Sequence, residues 1–350
     1  MARFSEVLAI INGKNQLKVE NPNGKYPIYG SGGIMGYADD YICEPETVII
    51  GRKGSINKPI FVETPFWNVD TAFGLSANKD VLLPKYLYYF CEYFDFEKLN
   101  TTVTIPSLTK ANLLNIEIEL PTIEQQQEIV FQLDNVESII SLRKQQLPKL
   151  DKLVKSRFIE MFGDRYTNDK KWDNKPLYEC ADFYNGKAHE QVVDENGEYI
   201  LVTSRCIASD ISDYRRTNAL LFPLQVNDIA MVMSDVPNGR ALAKCILIDE
   251  DRKYTLNQRI CCLRNYSFNP IFFYHLLNRH EYFLSFNDGN AQTNLRKDDL
   301  LACNIIIPPM KLQEQFAAFV EQIVKSKFEI QKSLEKLETL KKALMQKYFG

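Results

Sequence analysis

The chain has 350 residues, of which 45% are apolar and 25% are charged, and its net charge is −3. These values exclude a disordered chain, and no run reaches the ~20 apolar residues that a membrane span requires. The length indicates two or three domains of about 100–200 residues each. The N-terminus lacks the basic and then apolar layout of a signal peptide, so we expect a cytoplasmic protein that does not contact a membrane.

Cysteine, histidine and charge content narrow the class of function further. The eight cysteines are scattered without a Cys-x-x-Cys pair, so we expect buried free thiols rather than disulfides or a zinc site. The three histidines are too widely spaced to predict a metal site. Because the chain is slightly acidic, a DNA-binding role would need locally placed basic groups, or a partner that supplies much of the attraction to phosphate.

Residues 1–121 have the pattern of a strand-rich α+β unit. Short apolar runs at 26–29 and 47–50 are bounded by Gly, Pro and Asn, which is typical of strands and turns. Pro84 indicates a helix start, and residues 115–120 alternate as a half-buried strand should.

Two glycine-rich stretches in this unit, residues 29–36 and 51–55, invite a phosphate-binding interpretation. Their spacing matches neither the dinucleotide fingerprint nor the Walker loop. Turn glycines and DNA-facing loops remain as two interpretations. The sequence also contains no nucleophile elbow and no HExxH motif, so it gives no positive sign of an active site.

Residues 122–163 are predicted to form a long helix, since they contain no Gly before the last position and carry a heptad seam. Such a helix would be about 60 Å long. Pro148 is expected to kink or interrupt it. Arg143 fills the one polar step of a seam whose other members are Ile129, Leu133, Val136, Ile140, Leu147, Leu150 and Val154.

The second half of the chain repeats this plan. Residues 164–309 are predicted to form a second α+β unit, and residues 310–350 a second long helix. Its seam consists of Phe316, Val320, Ile323, Lys327, Ile330, Leu334, Leu337 and Lys341. We expect the two helices to pack as an antiparallel coiled coil, because neither can bury its apolar stripe alone. The alternative is that each helix packs only on its own unit.

An internal repeat supports this organisation. Residues 108–163 and 295–350 share 14 identities in 56 ungapped positions. A weaker match aligns Asn12-Gly13-Lys14 with residues 185–187, so the second copy contains a net insertion of 14 residues. Two large copies indicate a tandem duplication rather than a solenoid.

With its layout and local patterns, the chain resembles the specificity (S) subunit of type I restriction–modification systems. The patterns are residues 29–34, 48–55 and 67–72, with looser equivalents at 228–232 and 238–240. The resemblance implies two target-recognition domains that read the two halves of a bipartite DNA target in the major groove. It also implies that the helices fix the spacer between those halves.

The resemblance further implies a non-catalytic chain that works with other subunits. Two modification (methyltransferase) subunits would dock on the helices and carry S-adenosylmethionine. A restriction (motor-nuclease) subunit would supply ATP hydrolysis, with its Mg, and cleavage. No cofactor is expected in this chain.

Polar and basic loop residues are the candidates for contacts with double-stranded DNA, because such side chains read base edges. Lys110 and Lys297 are repeat-equivalent and are expected at phosphates instead. The first-domain candidates lie in the glycine-rich stretches and in the loop at 101–104, and those of the second domain lie in its basic loops. They are Ser31, Tyr37, Arg52, Lys53, Lys58, Thr102 and Thr104, then Arg205, Arg215, Arg216, Asn238, Arg240, Gln292, Asn294 and Arg296.

Two functions of other classes stay open. One is a coiled-coil interaction scaffold with two ligand-binding domains, which would show no preference for a DNA sequence. The other is a nuclease with a carboxylate-lined metal site, which would cleave DNA by itself in the presence of magnesium.

Overall fold

A computed structural model describes residues 1–99, 107–236, 239–287, 289 and 293–350. The chain forms two compact units. Unit 1 contains residues 1–145 and 330–350, and unit 2 contains residues 146–329. Each unit therefore combines one strand-rich region with one half of each long helix. No helix in the described part of the chain is long and apolar enough to cross a membrane.

The strand-rich region of unit 1 precedes the first long helix. Its elements are β1 (Ala2–Arg3), α1 (Phe4–Val7), β2 (Leu8–Asn12), β3 (Tyr26–Gly30), β4 (Gly33–Ala38), β5 (Thr47–Gly51), β6 (Ile60–Val62), β7 (Trp67–Asn68), β8 (Ala72–Ala77), α2 (Pro84–Tyr93), α3 (Lys110–Leu114) and β9 (Glu117–Ile118), followed by the long helix α4 (Ile123–Phe162).

The strand-rich region of unit 2 lies between the two long helices. Its elements are β10 (Asn174–Pro176), α5 (Leu177–Cys180), β11 (Asp182–Asn185), β12 (Tyr199–Val202), α6 (Ser204–Ala208), β13 (Arg215–Thr217), β14 (Ile229–Val232), β15 (Ser234–Asp235), β16 (Cys245–Leu247), β17 (Tyr254–Leu256), β18 (Ile260–Arg264), α7 (Pro270–Leu277), α8 (Glu281–Leu284), β19 (Thr293–Asn294), α9 (Lys297–Leu301) and β20 (Asn304–Ile306), followed by the long helix α10 (Met310–Phe349).

The two units have the same sheet topology. A four-stranded antiparallel sheet has the order β2-β8-β5-β6 in unit 1 and β11-β18-β14-β16 in unit 2. A three-stranded sheet has the order β4-β3-β7 in one and β13-β12-β17 in the other, each with one antiparallel and one parallel pairing. The duplication inferred from the sequence is thus present in the fold.

The main difference between the copies lies between the first two strands of the three-stranded sheet. In unit 1 a tight turn at residues 31–32 joins β3 to β4, whereas in unit 2 residues 203–214, which include α6, join β12 to β13. Much of the inserted sequence of the second copy therefore extends one connection and leaves the sheet order unchanged.

The repeated Asn-Gly-Lys pattern is a packing feature. A Cβ atom at Gly13 would lie 1.8 Å from the carbonyl oxygen of Val69, and one at Gly186 would lie 2.0 Å from that of Asn257. Only glycine allows the chain to pass this close to a neighbouring backbone.

The long helices pair antiparallel in both units. In unit 1 the hydroxyl of Tyr348 donates to Gln132 at 2.7 Å, and Lys144 forms an ion pair with Glu338 at 2.9 Å. Every predicted seam position is buried or half-buried. The antiparallel pairing predicted from the heptads is confirmed.

In unit 2 the same direction of pairing recurs. Lys327 contacts Asp151 at 2.8 Å, and the rings of Phe158 and Phe316 lie 5.4 Å apart. Helix α4 is continuous through Pro148, so the predicted interruption at this residue is wrong. A proline in a helix removes one backbone hydrogen bond, and here the flanking turns are maintained on both sides.

The thiol prediction is confirmed, since all eight cysteines are free and seven are buried. Cys180 is half-buried. Burial raises the pKa of Cys43, and that of Cys303, to about 12, so neither thiol ionises at neutral pH.

Candidate nucleic-acid interface

Three loops of unit 1 meet at one end of its sheets. A Cβ at Gly51 would lie 2.4 Å from the carbonyl oxygen of Ser55 and 3.0 Å from the Cβ of Ser31, so the β3–β4 turn contacts the 51–55 loop. The backbone N–H of Arg52 donates to the carbonyl of Thr71 at 2.8 Å. The two glycine-rich stretches thus form one surface with the β7–β8 turn.

Two predicted site residues lie on this surface with exposed side chains, Arg52 and Lys53. The guanidinium of Arg52 lies 5.8 Å from the centre of the Phe73 ring, which is a cation–π distance. Lys53 forms a backbone bridge with Ser107, directly after the residues that the structure leaves undescribed. The backbone of this loop is therefore fixed while its charges face outward.

The candidate Ser31 also lies on this surface and is half-buried, whereas the other candidates of unit 1 lie elsewhere. Tyr37 is exposed but lies four residues along β4 from the turn, or about 13 Å. Lys58 is exposed on the connection between β5 and β6. The ammonium of Lys110 donates to the backbone carbonyl of Ile10 at 2.7 Å, which ties it to the fold. Thr102 and Thr104 lie outside the described residues.

In unit 2 a half-buried carboxylate organises the loop that carries Arg240. Asp235 accepts hydrogen bonds from the backbone N–H groups of Val236, Ala241 and Leu242, at 2.8, 2.6 and 3.1 Å. Arg240 itself is exposed. The sequence reasoning missed Asp235, although an aspartate ahead of a Pro-Asn-Gly turn is a recognisable loop-forming signal.

Backbone pairing shows which positions of the two units correspond. The N–H of Leu108 donates to the carbonyl of Arg52 at 2.9 Å, and the repeat-equivalent N–H of Leu295 donates to the carbonyl of Met233 at 2.7 Å. Met233 therefore occupies the position of Arg52. Arg240 lies further along the same β-hairpin connection, so the two units present their basic groups differently.

Sheet register also relates Arg216 to Tyr37, because each lies one residue before the strand end that pairs with the first residue of β12 or β3. The guanidinium of Arg216 donates to the carbonyls of Gly197 and Glu198, both at 3.2 Å. It is half-buried and held by its own unit. Its neighbour Arg215 is exposed.

The remaining candidates of unit 2 differ in whether their side chains contact neighbouring residues. Arg205 contacts Asp213 at 2.5 Å. Arg296 precedes α9 as an exposed residue, and Lys297 lies 5.4 Å from the Phe183 ring. Asn294 is exposed on β19, which pairs with β15 at the base of the Arg240 loop. Asn238 and Gln292 lie outside the described residues.

Histidines and acidic clusters give no alternative site in the part of the chain that is described. No group of three or more His, Cys, Asp or Glu side chains there is arranged to hold a metal ion. Burial, together with the charge of Arg165, lowers the pKa of His275 and of His280 to about 4. Both are therefore neutral at pH 7 and pack within unit 2.

The geometry defines a duplicated α+β protein built on two antiparallel helices, with different loops at equivalent ends of its sheets. Residues 1–152 and 167–342 match the family described as the type I restriction modification DNA specificity domain, and the chain belongs to this family.

A relative found by sequence comparison is described as a subunit of the same kind of system. The chain is 29% identical over 147 residues to the putative type I restriction enzyme specificity subunit S.HindORF215P of Haemophilus influenzae. That match covers 39% of this chain and 37% of the relative.

Two solved structures share the fold. One is the type I restriction-modification S subunit from M. genitalium, which is 16% identical and superposes with a TM-score of 0.61. The match covers 100% of this chain and 95% of the M. genitalium chain. The other is a chain from a structure on complex assembly and conformational transition of the type I R-M system, which is 15% identical and has a TM-score of 0.64. The match covers 99% of this chain and 96% of that one.

Proposed function

We propose that this chain reads a bipartite DNA sequence as the specificity subunit of a type I restriction–modification complex, one half with each unit. The observation that carries the proposal is that two copies of one fold present different loops at the same place. Arg52 and Lys53 are exposed on one copy. In the other copy Met233 occupies the position of Arg52, and the exposed Arg240 lies further along the same connection. Different loops on equal scaffolds are suited to reading two different half-sites.

We also propose that catalysis belongs to partner subunits. An acidic chain can read base edges while its partners supply much of the grip on phosphate. S-adenosylmethionine would then be held by the methyltransferase subunits, and ATP with Mg by the restriction subunit. The paired helices α4 and α10 would set the spacing of the two half-sites.

Exposed apolar side chains on the long helices support a docking role for them. Phe131, Ile139 and Leu142 of α4 lie on one side of that helix and are exposed, and so are Val324 and Phe328 of α10. The helix pair does not use these side chains. We propose that methyltransferase subunits cover them, with two such subunits for each chain.

The test is methylome sequencing of a host that expresses the chain, its methyltransferase partner, or both. We expect a gapped methylated motif only where both are present. A motif that the methyltransferase produces alone, or no new motif with both, would contradict the proposal. Sequence-independent binding in a gel-shift assay of the complex would favour the scaffold instead.

A further inference from the structure

The turn between β3 and β4 ends in a pair of exposed apolar residues, which the basic candidates do not explain. Ile34 is 56% exposed and Met35 is 63% exposed. Tyr29 pairs with Ile34 and Ile28 pairs with Gly36, so Met35 is the extra residue of a β-bulge and has no partner residue on β3. The two residues therefore lie on β4 where it is an edge strand of the three-stranded sheet, next to the turn.

One glycine of the tip, Gly32, indicates a close external neighbour. A Cβ at Gly32 would have no described heavy atom within 4 Å, and its φ is not in the left-handed region. Neither packing nor backbone conformation within the chain requires glycine there. A glycine with no internal reason is expected where another molecule approaches the backbone closely.

The surroundings of the tip favour DNA as that molecule. Ser31 of the turn contacts the loop that carries Arg52 and Lys53, so the apolar tip and two exposed cations share one surface. The major groove admits β-strands as well as helices, and the 5-methyl group of thymine is the apolar feature of its base edges.

We propose that the β3–β4 tip enters the major groove and that Ile34 and Met35 contact thymine methyl groups. This inference rests on the proposed function. The sulfur of Met35 lies against the backbone of Gly30, 2.6 Å from where a Cβ would be, and 63% of the residue remains exposed for such a contact. Unit 2 has no counterpart of this turn, since residues 203–214 replace it. The thymine contacts therefore belong to one half of the target.

The test uses the complex of this chain with its methyltransferase partner and the target duplex found by methylome sequencing. Each thymine is replaced singly by deoxyuridine, which removes the methyl group and keeps the base pairing. We expect the wild-type affinity to fall about three- to tenfold at one or two positions, all in one half-site. The double variant Ile34→Ala/Met35→Ala should bind the intact target with that reduced affinity and lose the sensitivity to deoxyuridine.

Two further variants separate this effect from a change in folding. Leu17→Ala removes another exposed apolar side chain, which does not belong to the β3–β4 turn, and should retain the wild-type pattern. Gly32→Ala should leave the thermal midpoint unchanged, since its Cβ meets nothing in the chain, yet weaken binding more than tenfold.

The inference is overturned if no deoxyuridine position affects the wild type, if the sensitivity persists in the double variant, or if Gly32→Ala binds normally. A uniform loss on every duplex would overturn it too, because it would indicate a phosphate or protein contact. If the wild-type complex prefers no sequence at all, the proposed function itself fails.

Discussion

Two buried glutamines show how single residues of the repeat join each long helix to its unit. The amide oxygen of Gln126 accepts from the N–H of Leu83 at 2.8 Å, at the start of α2. The repeat-equivalent Gln313 accepts from the N–H of Asn269 at 2.9 Å, at the start of α7. The identity that the sequence repeat revealed is thus a structural tie rather than a binding site.

We predict that Gln126→Met lowers the free energy of unfolding by about 1–3 kcal/mol, because it leaves the N–H of the half-buried Leu83 without its partner. Gln313→Met should have a similar effect through Asn269. Urea denaturation of each variant measures this. Gln127→Met, at an exposed position of the same helix, is the control and should change little. Equal stability of Gln126→Met and the control would show that this hydrogen bond is dispensable.

The exposed cations of the loops give a prediction about base reading. Arg52→Ala should weaken binding of the intact target by about 1–3 kcal/mol and relax preference at one position of one half-site. Arg240→Ala should do the same in the other half. The measurement is binding of the complex to a set of single-base variants. A loss that is equal on all sequences would assign these residues to phosphate contacts, and no loss would remove them from the interface.

At the scale of elements, a partly buried ion cluster interrupts the apolar seam of unit 1. Lys341, whose side chain is only 15% exposed, contacts Glu92 at 2.7 Å and also pairs with Glu137. Burial opposes its charge, but the hydrogen bonds that its ammonium donates to both carboxylates, with their negative charges, outweigh burial and raise the pKa of Lys341. Its repeat-equivalent in unit 2 is the apolar Val154.

We predict that Lys341→Met destabilises unit 1 by about 1–3 kcal/mol, because it leaves two partly buried carboxylates without a cation. Combining it with Glu92→Gln and Glu137→Gln should recover most of the loss. Urea denaturation compares the three proteins, with exposed Lys336→Ala as the control. A triple variant as unstable as Lys341→Met would indicate that packing of the lysine stem, rather than charge, matters here.

Elements were predictable from the sequence where periodicity and repetition agree. The seam and the repeat located α4 and α10 to within a residue at each end, because a 40-residue heptad pattern has few alternative structures. The strand at 115–120 was overestimated, since only Glu117–Ile118 pairs with β1. Alternation marks a buried face but does not indicate whether a partner strand is available.

The candidate site was less predictable for a physical reason. The contact of Ser31 with the loop of Arg52 depends on tertiary approach at Gly51, which no local pattern encodes. The half-buried state of Arg216 likewise depends on carbonyls about 18 residues away. A prediction from residue type therefore includes both exposed cations, such as Arg52, and cations that bind the chain's own backbone, such as Arg216. The fold is needed to distinguish the two kinds.

At the scale of the whole molecule, the two units differ in their response to acid. All three histidines lie in unit 2, and unit 1 contains none. His275 is half-buried and His280 is buried, both as neutral rings, and their pKa values are lowered from 6.5 to about 4. In the unfolded chain both would titrate near 6.5, so between pH 6.5 and 4 the unfolded state binds more protons than the folded state.

Unit 2 should therefore be fully stable above pH 6.5 and lose stability as the pH falls towards 4, on the order of 1–2 kcal/mol per buried histidine by pH 5. Hydrogen exchange at pH 7.5 and pH 5, corrected for intrinsic rates, should show protection falling in residues 146–329 more than in residues 1–145. His280→Asn keeps a side-chain acceptor for the N–H of Tyr282 at the start of α8 and cannot titrate, so it should reduce the difference. If acid lowers protection equally in both units of the wild type, carboxylates common to both, rather than these histidines, control the acid response.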